Sequence, residues 1–319
     1  MKFFFVFSIA TLISIGGLRA QQEAQQTQFF YYKLGYNPAY AGSVQAPHIT
    51  ALYRKQWIGL KGAPEFQALS FNMPLLNQRI GVGGNISRYT IGITELYTAE
   101  AVYSYRLPLG HGMLGLGISG SVRSISQDFT QVQGTQPSSI DASIPDGYQQ
   151  KYLLNFGAGL YYTTEHFYLG LSTPRFLKNN IDFADLSQDA VISREVAHVY
   201  FMMGILFDIA DYTQFQPQVL IKYVENAPID ADLNFMLIFD ERFVTGLTYR
   251  LGGSSITAVG ESIDLILGMQ VNEFLYFGMS YDLTFSDLRD YSSGSGEAVL
   301  RFNFGESRHS DHIEDPRFF

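Results

Sequence analysis

From His48 onward the hydrophobic and polar positions of the chain alternate with a period of two, in short segments separated by turn residues. Successive side chains of a strand point to opposite faces, so this pattern predicts strands with one apolar and one polar or small face. The last segment is the clearest: Ala298, Leu300, Phe302 and Phe304 point one way, Arg301 and Asn303 the other. Segment 114–123 sets Leu114, Leu116, Ile118 and Val122 against Gly115, Gly117, Ser119, Ser121 and Arg123. Phe215, Pro217, Val219, Ile221 and Tyr223 oppose Gln214, Gln216, Gln218 and Lys222. Leu233, Phe235, Leu237 and Phe239 oppose Asp232 and Asn234; Leu275, Phe277, Met279 and Tyr281 oppose Tyr276, Gly278, Ser280 and Asp282.

Continued along the chain, the pattern predicts fourteen strands near 48–56, 65–74, 79–90, 94–108, 112–127, 152–164, 166–173, 197–209, 212–224, 231–240, 243–250, 256–271, 274–282 and 296–304. Pro217 inside a strand implies a bulge or a displaced register, because proline has no N–H for the ladder. The connections alternate as well. They are short after even-numbered strands (75–78, 109–111, 165, 210–211, 240–242, 272–273) and mostly longer after odd-numbered ones (57–64, 128–151, 174–196, 225–230, 283–295). A membrane barrel with short periplasmic turns and long outer loops has this parity. A secreted β-sandwich would show the alternation but has no reason to keep the parity. The expected fold is all-β: a single transmembrane antiparallel up-and-down β-barrel of 14 strands with an N-terminal cap or plug. An even strand count puts both chain ends on the periplasmic side.

The stretch from Asn37 to Pro64 stands apart from the alternation. Asn37-Pro38 is a turn dipeptide, Gly42 permits a second bend, and the one Trp of the chain, Trp57, opens the loop after the first strand. Residues 1–20 read as a signal peptide, with Lys2, the apolar run Phe3 to Gly17, and Ala20 at the cleavage site; a buried N-terminal strand is the alternative. The expected division is then 21–47 as a periplasmic cap or plug, 48–304 as the barrel and 305–319 as a periplasmic tail.

Composition sharpens this picture. Charged residues are only 16%, aromatics are 15% with 26 Phe and 21 Tyr, and there are 30 Gly. After the signal no apolar run is long enough for a spanning helix. An exported chain of this kind points to the outer membrane and its lipid. Without cysteine there is neither a lipid anchor on that residue nor a disulfide framework. The net charge of −9 argues against nucleic acid as a partner and reads as solvated acidic loops.

No catalytic constellation emerges, and no enzyme is expected. His48, His111, His166, His198, His309 and His312 lack metal-site spacing; His309 and His312 read as part of a solvated tail. Asp182, Asp185, Asp189 and Glu195 in loop 174–196 suit a hard cation such as calcium, but without an Asp-x-Asp-x-Asp-Gly spacing they read as a solvated loop, with one short helix over 183–195. No cofactor is expected. Arg54, Glu100, Arg106, Arg123, Lys222, Arg250, Asp264 and Arg301 fall on the lumen side. On the lipid side at mid-depth an Arg or Lys would cost about 2–4 kcal/mol. Acids and bases occur together there, so the charges read as pairing with one another and with a plug; a conducting pore is the alternative. Lys55 lies on the lipid side, where it snorkels beside Trp57 at the headgroup level.

Asn37-Pro38-Ala39-Tyr40-Ala41-Gly42, Tyr53-Arg54-Lys55-Gln56-Trp57 and Gly62-Ala63-Pro64 resemble the PorP/SprF family of type IX secretion system outer-membrane proteins of Bacteroidetes. Gly81 to Gly84, Tyr103-Ser104-Tyr105 and the terminal Pro316-Arg317-Phe318-Phe319 continue the likeness over nearly all of the mature chain. The resemblance implies a non-enzymatic barrel that supports secretion and surface attachment of adhesins, including gliding adhesins. It implies as partners an adhesin with a C-terminal sorting domain, periplasmic ring and motor components of the type IX machinery, and an OmpA-like peptidoglycan-binding lipoprotein. A diffusion channel or hydrophobic-substrate transporter is the alternative; an open, charge-lined lumen would favour it and a plugged lumen the first reading.

Overall fold

A computed structural model describes residues 24–131, 147–183, 194–225, 227–252, 261–285 and 287–304. The expected signal peptide, the C-terminal tail, most of the expected helix at 183–195, and Asp185, Asp189, His309 and His312 lie outside the described residues. The strands are β1 (His48–Lys55), β2 (Glu65–Leu75), β3 (Ile80–Ile91), β4 (Thr94–Leu109), β5 (Gly112–Asp128), β6 (Tyr148–Thr163), β7 (Phe167–Thr173), β8 (His198–Ile205), β9 (Phe207–Ala210), β10 (Thr213–Val224), β11 (Asp230–Phe239), β12 (Phe243–Leu251), β13 (Ser262–Gln270), β14 (Leu275–Thr284) and β15 (Ser295–Asn303). Each pairs antiparallel with its neighbour, β1 pairs with β15, and β10 with β11, so the wall closes into a 14-strand barrel with one extra strand.

The extra strand arises at Pro217. β8 and β9 are two pieces of one wall segment, interrupted at Leu206. The ladder pairs Gln218 with Gly204 and resumes with Phe215 opposite Phe207. The gap faces Gln216 and Pro217, where the proline has no N–H to give. The register is otherwise continuous there, and the ladder shifts only between Thr213 and Gln214.

Alternation decides which face each residue takes. Leu116, Ile118, Phe235, Phe277 and Phe302 are exposed on the outside and Leu237 is half-buried, while Arg123 and Arg301 are buried. Turn chemistry closes the short ends: Asp240 and Glu241 both have positive φ (52° and 49°), the two-residue turn whose twist matches paired strands. The tight connections 76–79, 110–111, 164–166, 211–212, 240–242 and 271–274 fall at one end. The opposite end carries 56–64, 129–147, 174–197, 225–229, 252–261 and 285–294, with 92–93 the exception to the length rule.

The inner face is less polar than a water-filled barrel requires. Leu52, Val102, Met202, Leu220, Met236, Ile266 and Val299 point inward and are buried in one cluster with Phe29, Phe30, Tyr31, Leu34, Tyr36 and Tyr40. Those partners come from the segment before β1, which lies within the lumen. It carries three one-turn helical pieces, Phe29–Tyr31, Lys33–Tyr36 and Pro38–Tyr40. Each fully buried Phe or Leu contributes about 2 kcal/mol, so the apolar lumen positions stabilise an occupant and would be costly against water. The segment is therefore no cap lying beneath the barrel on the short-turn side. β1 does start at that end, but the chain leading to it runs inside the wall.

Candidate functional site

The candidate site is the seam between this inner segment and the wall. It begins at the long-loop end. Gln25 Nε2 donates to Asp230, the first residue of β11, at 3.1 Å. The Thr27 and Gln28 backbone N–H groups donate to the Glu297 carboxylate at 2.9 and 2.7 Å. The Thr27 hydroxyl lies 2.9 Å from an Asp264 oxygen and 3.0 Å from an Asp282 oxygen. Carboxylates accept, and here Glu297 takes two backbone N–H donors that no helix or ladder satisfies.

Behind these contacts lies a buried charge network. Arg54 pairs with Asp282 and, at 3.4 Å, with Glu297, and donates to Thr27 Oγ1 at 2.9 Å. Arg250 reaches Asp232 at 2.8 Å, Asp264 at 3.4 Å and Asp282 at 3.7 Å. Lys222 holds Asp232 at 2.8 Å and Asp230 at 3.3 Å. Five carboxylates and three cations are thus linked across β1 and β10 to β15. Removing one partner of a buried pair is strongly destabilising, because it leaves its counter-charge buried and alone.

Lower in the lumen the contacts change character. Arg301 donates to Tyr31 O at 3.0 Å and sits 5.0 Å from the ring of Tyr31. The Lys33 ammonium lies 3.7 Å from the Tyr168 ring centre and 3.5 Å from the Tyr161 hydroxyl. Cation–π contact of this kind strengthens when water is excluded. Asn37 caps the last helical turn, its side chain accepting from Ala39 N at 2.9 Å and donating to Leu160 O at 2.9 Å. At the short-turn end Gly42 N–H donates to Asn72 at 2.7 Å, and Arg106 donates to Gly42 O at 2.6 Å. The backbone comes so close that a Cβ on Gly81 would meet Ala41 O at 2.0 Å, and one on Gly117 would meet Ala39 N at 2.1 Å. Gly42 itself has φ +72°, a conformation glycine adopts at little cost. Beside the segment at the long-loop end, a cavity lined in part by Tyr32, Tyr36 and Phe66 holds about 60 Å³, room for a few waters.

The sequence-derived candidates fall into separate groups. Asn37, Pro38, Tyr40 and Gly42 form the seam's lower end and are joined there by Arg106; Arg54, Lys222, Arg250 and Asp264 form its upper network. Arg301 lies between. Glu100 is half-buried and bonds Asn85 at 2.7 Å. Arg123 faces inward but pairs with Glu195 of the 174–197 connection, which Asn155 and Asn179 also bond at 3.3 and 2.8 Å. Glu195 is thereby committed to the wall. Tyr53 is exposed on the outer face, and Lys55 beside it approaches Glu65 at 4.0 Å. Gln56, Trp57, Gly62 and Pro64 shape the first long-end turn: Gln56 N–H donates to Pro64 O at 2.9 Å, and Trp57 (φ 46°) and Gly62 (φ 74°) take positive φ. On the same rim Lys178 bonds Glu225 at 2.6 Å and holds its carboxyl below the usual range. Thr27, Gln28 and Glu297 were not among the candidates. Glu297 shares the inward parity of Arg301, which is the signal that places it; no periodicity marks Thr27 or Gln28. Among the described residues no group of three His, Asp or Glu is placed to hold a metal ion.

The family model for the type IX secretion system membrane protein PorP/SprF matches residues 18–302. No curated protein matches the chain. Among solved structures, the CymD monoaromatic hydrocarbon channel is similar at 12% identity with a TM-score of 0.49, over 90% of this chain and 94% of that one. The Acinetobacter baumannii outer-membrane protein Omp33 is similar at 7% identity and 0.47, over 81% and 98%. The KdgM porin is similar at 10% and 0.37, over 81% and 99%.

Proposed function

Because this chain belongs to the PorP/SprF family of type IX secretion system membrane proteins, we propose that it is a non-enzymatic outer-membrane barrel that supports secretion and surface attachment of an adhesin cargo. The observation that carries this reading is the filled lumen. Residues 24–47 occupy it from the long-loop end to the short-turn end, through hydrogen bonds to the buried charge network at one level and aromatic packing at the next. A 14-strand wall must be filled or serve as a channel, and this one is filled by its own chain. What the barrel offers is then its two rims. Long connections such as 174–197, tied to the wall through Glu195 and Arg123, present contact surface outside the cell. The short turns, with the exported termini, face the periplasm, where type IX ring components and a peptidoglycan-binding lipoprotein of OmpA type are the proposed partners. The cargo is an adhesin bearing a C-terminal sorting domain, and gliding is the process such an adhesin serves. A signal peptide over residues 1–20 delivers the chain.

Deletion of the gene is expected to remove one adhesin, or a small group, from the surface while most exported proteins still appear. Replacing 132–146 and 181–193 by short turns, which spares the strands and Glu195, is expected to lose the adhesin and keep the barrel in the membrane. Unchanged display in both strains, together with lost uptake of a small solute, would refute the proposal and favour a diffusion channel.

A further inference from the structure

The wall is uneven at its short-turn end. Among the described residues β9 pairs with β10 on one side only. On the other side β7 begins at Phe167, opposite Ile205, and the last contact is the Leu206 N–H donating to His166 O at 2.8 Å. Phe207 to Ala210 therefore project beyond the hairpin next to them, and all four are exposed. Backbone N–H groups alternate between the two edges of a strand, so the Asp208 N–H points the same way as that of Leu206, to the vacant side. An unpaired strand edge is a template for one more strand. Beside it opens a cavity of about 540 Å³ whose lining includes Glu165, Asp208, Asp240 and Glu241 and neither Lys nor Arg.

We propose that the free edge of β9 is a docking site that takes a short, extended, basic segment of a periplasmic protein as an added strand. The proposal rests on the short-turn end being the periplasmic side, and it gives the partner contact suggested above a place and a chemistry. The added strand continues the two faces of the wall. Side chains beside Asp208 point toward the acidic cavity and are Lys or Arg. Those beside Phe207 and Ile209 lie at the membrane surface and are apolar. Four residues of edge span about 14 Å, so main-chain bonds supply only part of the affinity and the carboxylates supply the preference for positive charge.

The probe is a fluorescein-labelled octapeptide alternating Lys and Val, titrated against the full-length barrel in detergent by fluorescence anisotropy. Binding is expected to weaken with salt and to fall at least fivefold with Asp208→Pro, which removes the edge donor. Asp208→Asn keeps the donor, so it should retain binding within about twofold, with a shallower salt dependence. If Asp208→Pro fails to fold, the reciprocal bonds of the same ladder, from peptide N–H to β9 carbonyls, are removed instead: a peptide N-methylated at alternate residues, of equal charge, should lose binding to the unaltered barrel. Equal binding of the plain and methylated peptides would overturn the inference, leaving charge alone as the cause. The chain has no cysteine, so Ile209→Cys is a clean cross-linking site. A disulfide-linked homodimer in native membranes would assign the edge to a second copy and also overturn it. Adhesin display in the Asp208→Asn and Asp208→Pro strains separates this from the proposed function. Display kept by the first and lost by the second supports docking here; display intact in both overturns the edge and leaves the anchoring role standing.

Discussion

Arg54→Met isolates what the upper network does. Arg54 is almost fully buried, and its guanidinium faces Asp282, Glu297 and the Thr27 hydroxyl. The substitution keeps most of the volume and removes the charge. Five linked carboxylates are then left with two cations, and Asp282 and Glu297 lose the guanidinium they share. Breaking one side of a buried pair costs about 3–5 kcal/mol. Glu297 also receives the Thr27 and Gln28 N–H groups, so part of the loss appears as weaker docking of the inner segment. Even about 3 kcal/mol is roughly a hundredfold shift in that equilibrium. Two readouts are available: proteolysis of the N-terminal segment in detergent, and single-channel recording in planar bilayers. The unaltered barrel should resist cleavage and conduct poorly, and the variant should be cut much faster and show intermittent openings. Arg54→Met combined with Asp282→Asn should recover part of the loss, because it removes one of the stranded charges. An Arg54→Met barrel as resistant to cleavage and as poorly conducting as the original, at equal thermal stability, would refute the reasoning. Large steady currents from the unaltered protein would do the same.

Gly81→Ala should sharply lower the fraction of folded, heat-modifiable barrel in membranes, since its Cβ would collide with the Ala41 carbonyl, and overpacking against backbone costs about 1–3 kcal/mol or more. Ile118→Arg on the outer face should destabilise the barrel by about 2–4 kcal/mol in urea titrations from lipid vesicles, whereas Ser119→Ala beside it should change little. Asn37→Ala should cost about 1–2 kcal/mol in the same titrations, through loss of the cap to Ala39 and the bond to Leu160, and leave the strand signal in circular dichroism unchanged.

Much of the wall was legible because lipid imposes one rule on it. Ile118 and Phe235 had to face out and Arg123 and Arg301 had to face in, so period-two alternation carried both register and boundaries. Turn length carried the strand order in the same way, since 76–79 and 240–242 are too short to be anything but hairpins. The seam obeys no period. Thr27 and Gln28 meet Glu297 some 270 residues away, and their identity reflects three strands that converge on one spot. Phe29 to Tyr32 read as apolar residues without a face because they are surrounded on all sides. The inward apolar residues Leu220, Met236 and Ile266 were hidden by the expectation of a polar or small inner face; they make sense only once the occupant's own apolar side chains are placed against them. Arg123 was placed on the right face, but its partner Glu195 comes from a long connection whose path no local pattern describes.

The seam also constrains the order in which the molecule can be made. The inner segment is the first part of the described chain, yet its carboxylate partners Asp264, Asp282 and Glu297 lie in β13 to β15, and its close backbone neighbours lie in β3 and β5. Closure requires β1 to zip onto β15, and β1 follows the segment directly at the short-turn end. Once that hydrogen-bonded seal is made, a stretch bearing Phe29, Tyr31, Tyr32 and Tyr36 could enter only endwise, past the side chains that line the lumen. A segment already seated in an open, curling sheet before the ends meet avoids that passage. The Arg54 cluster, which includes residues of both β1 and β15, then acts as a latch completed in the same step as the seal. A chain that cannot seat its first residues is held up as an unclosed sheet, so correct packing of the interior becomes a checkpoint in insertion itself.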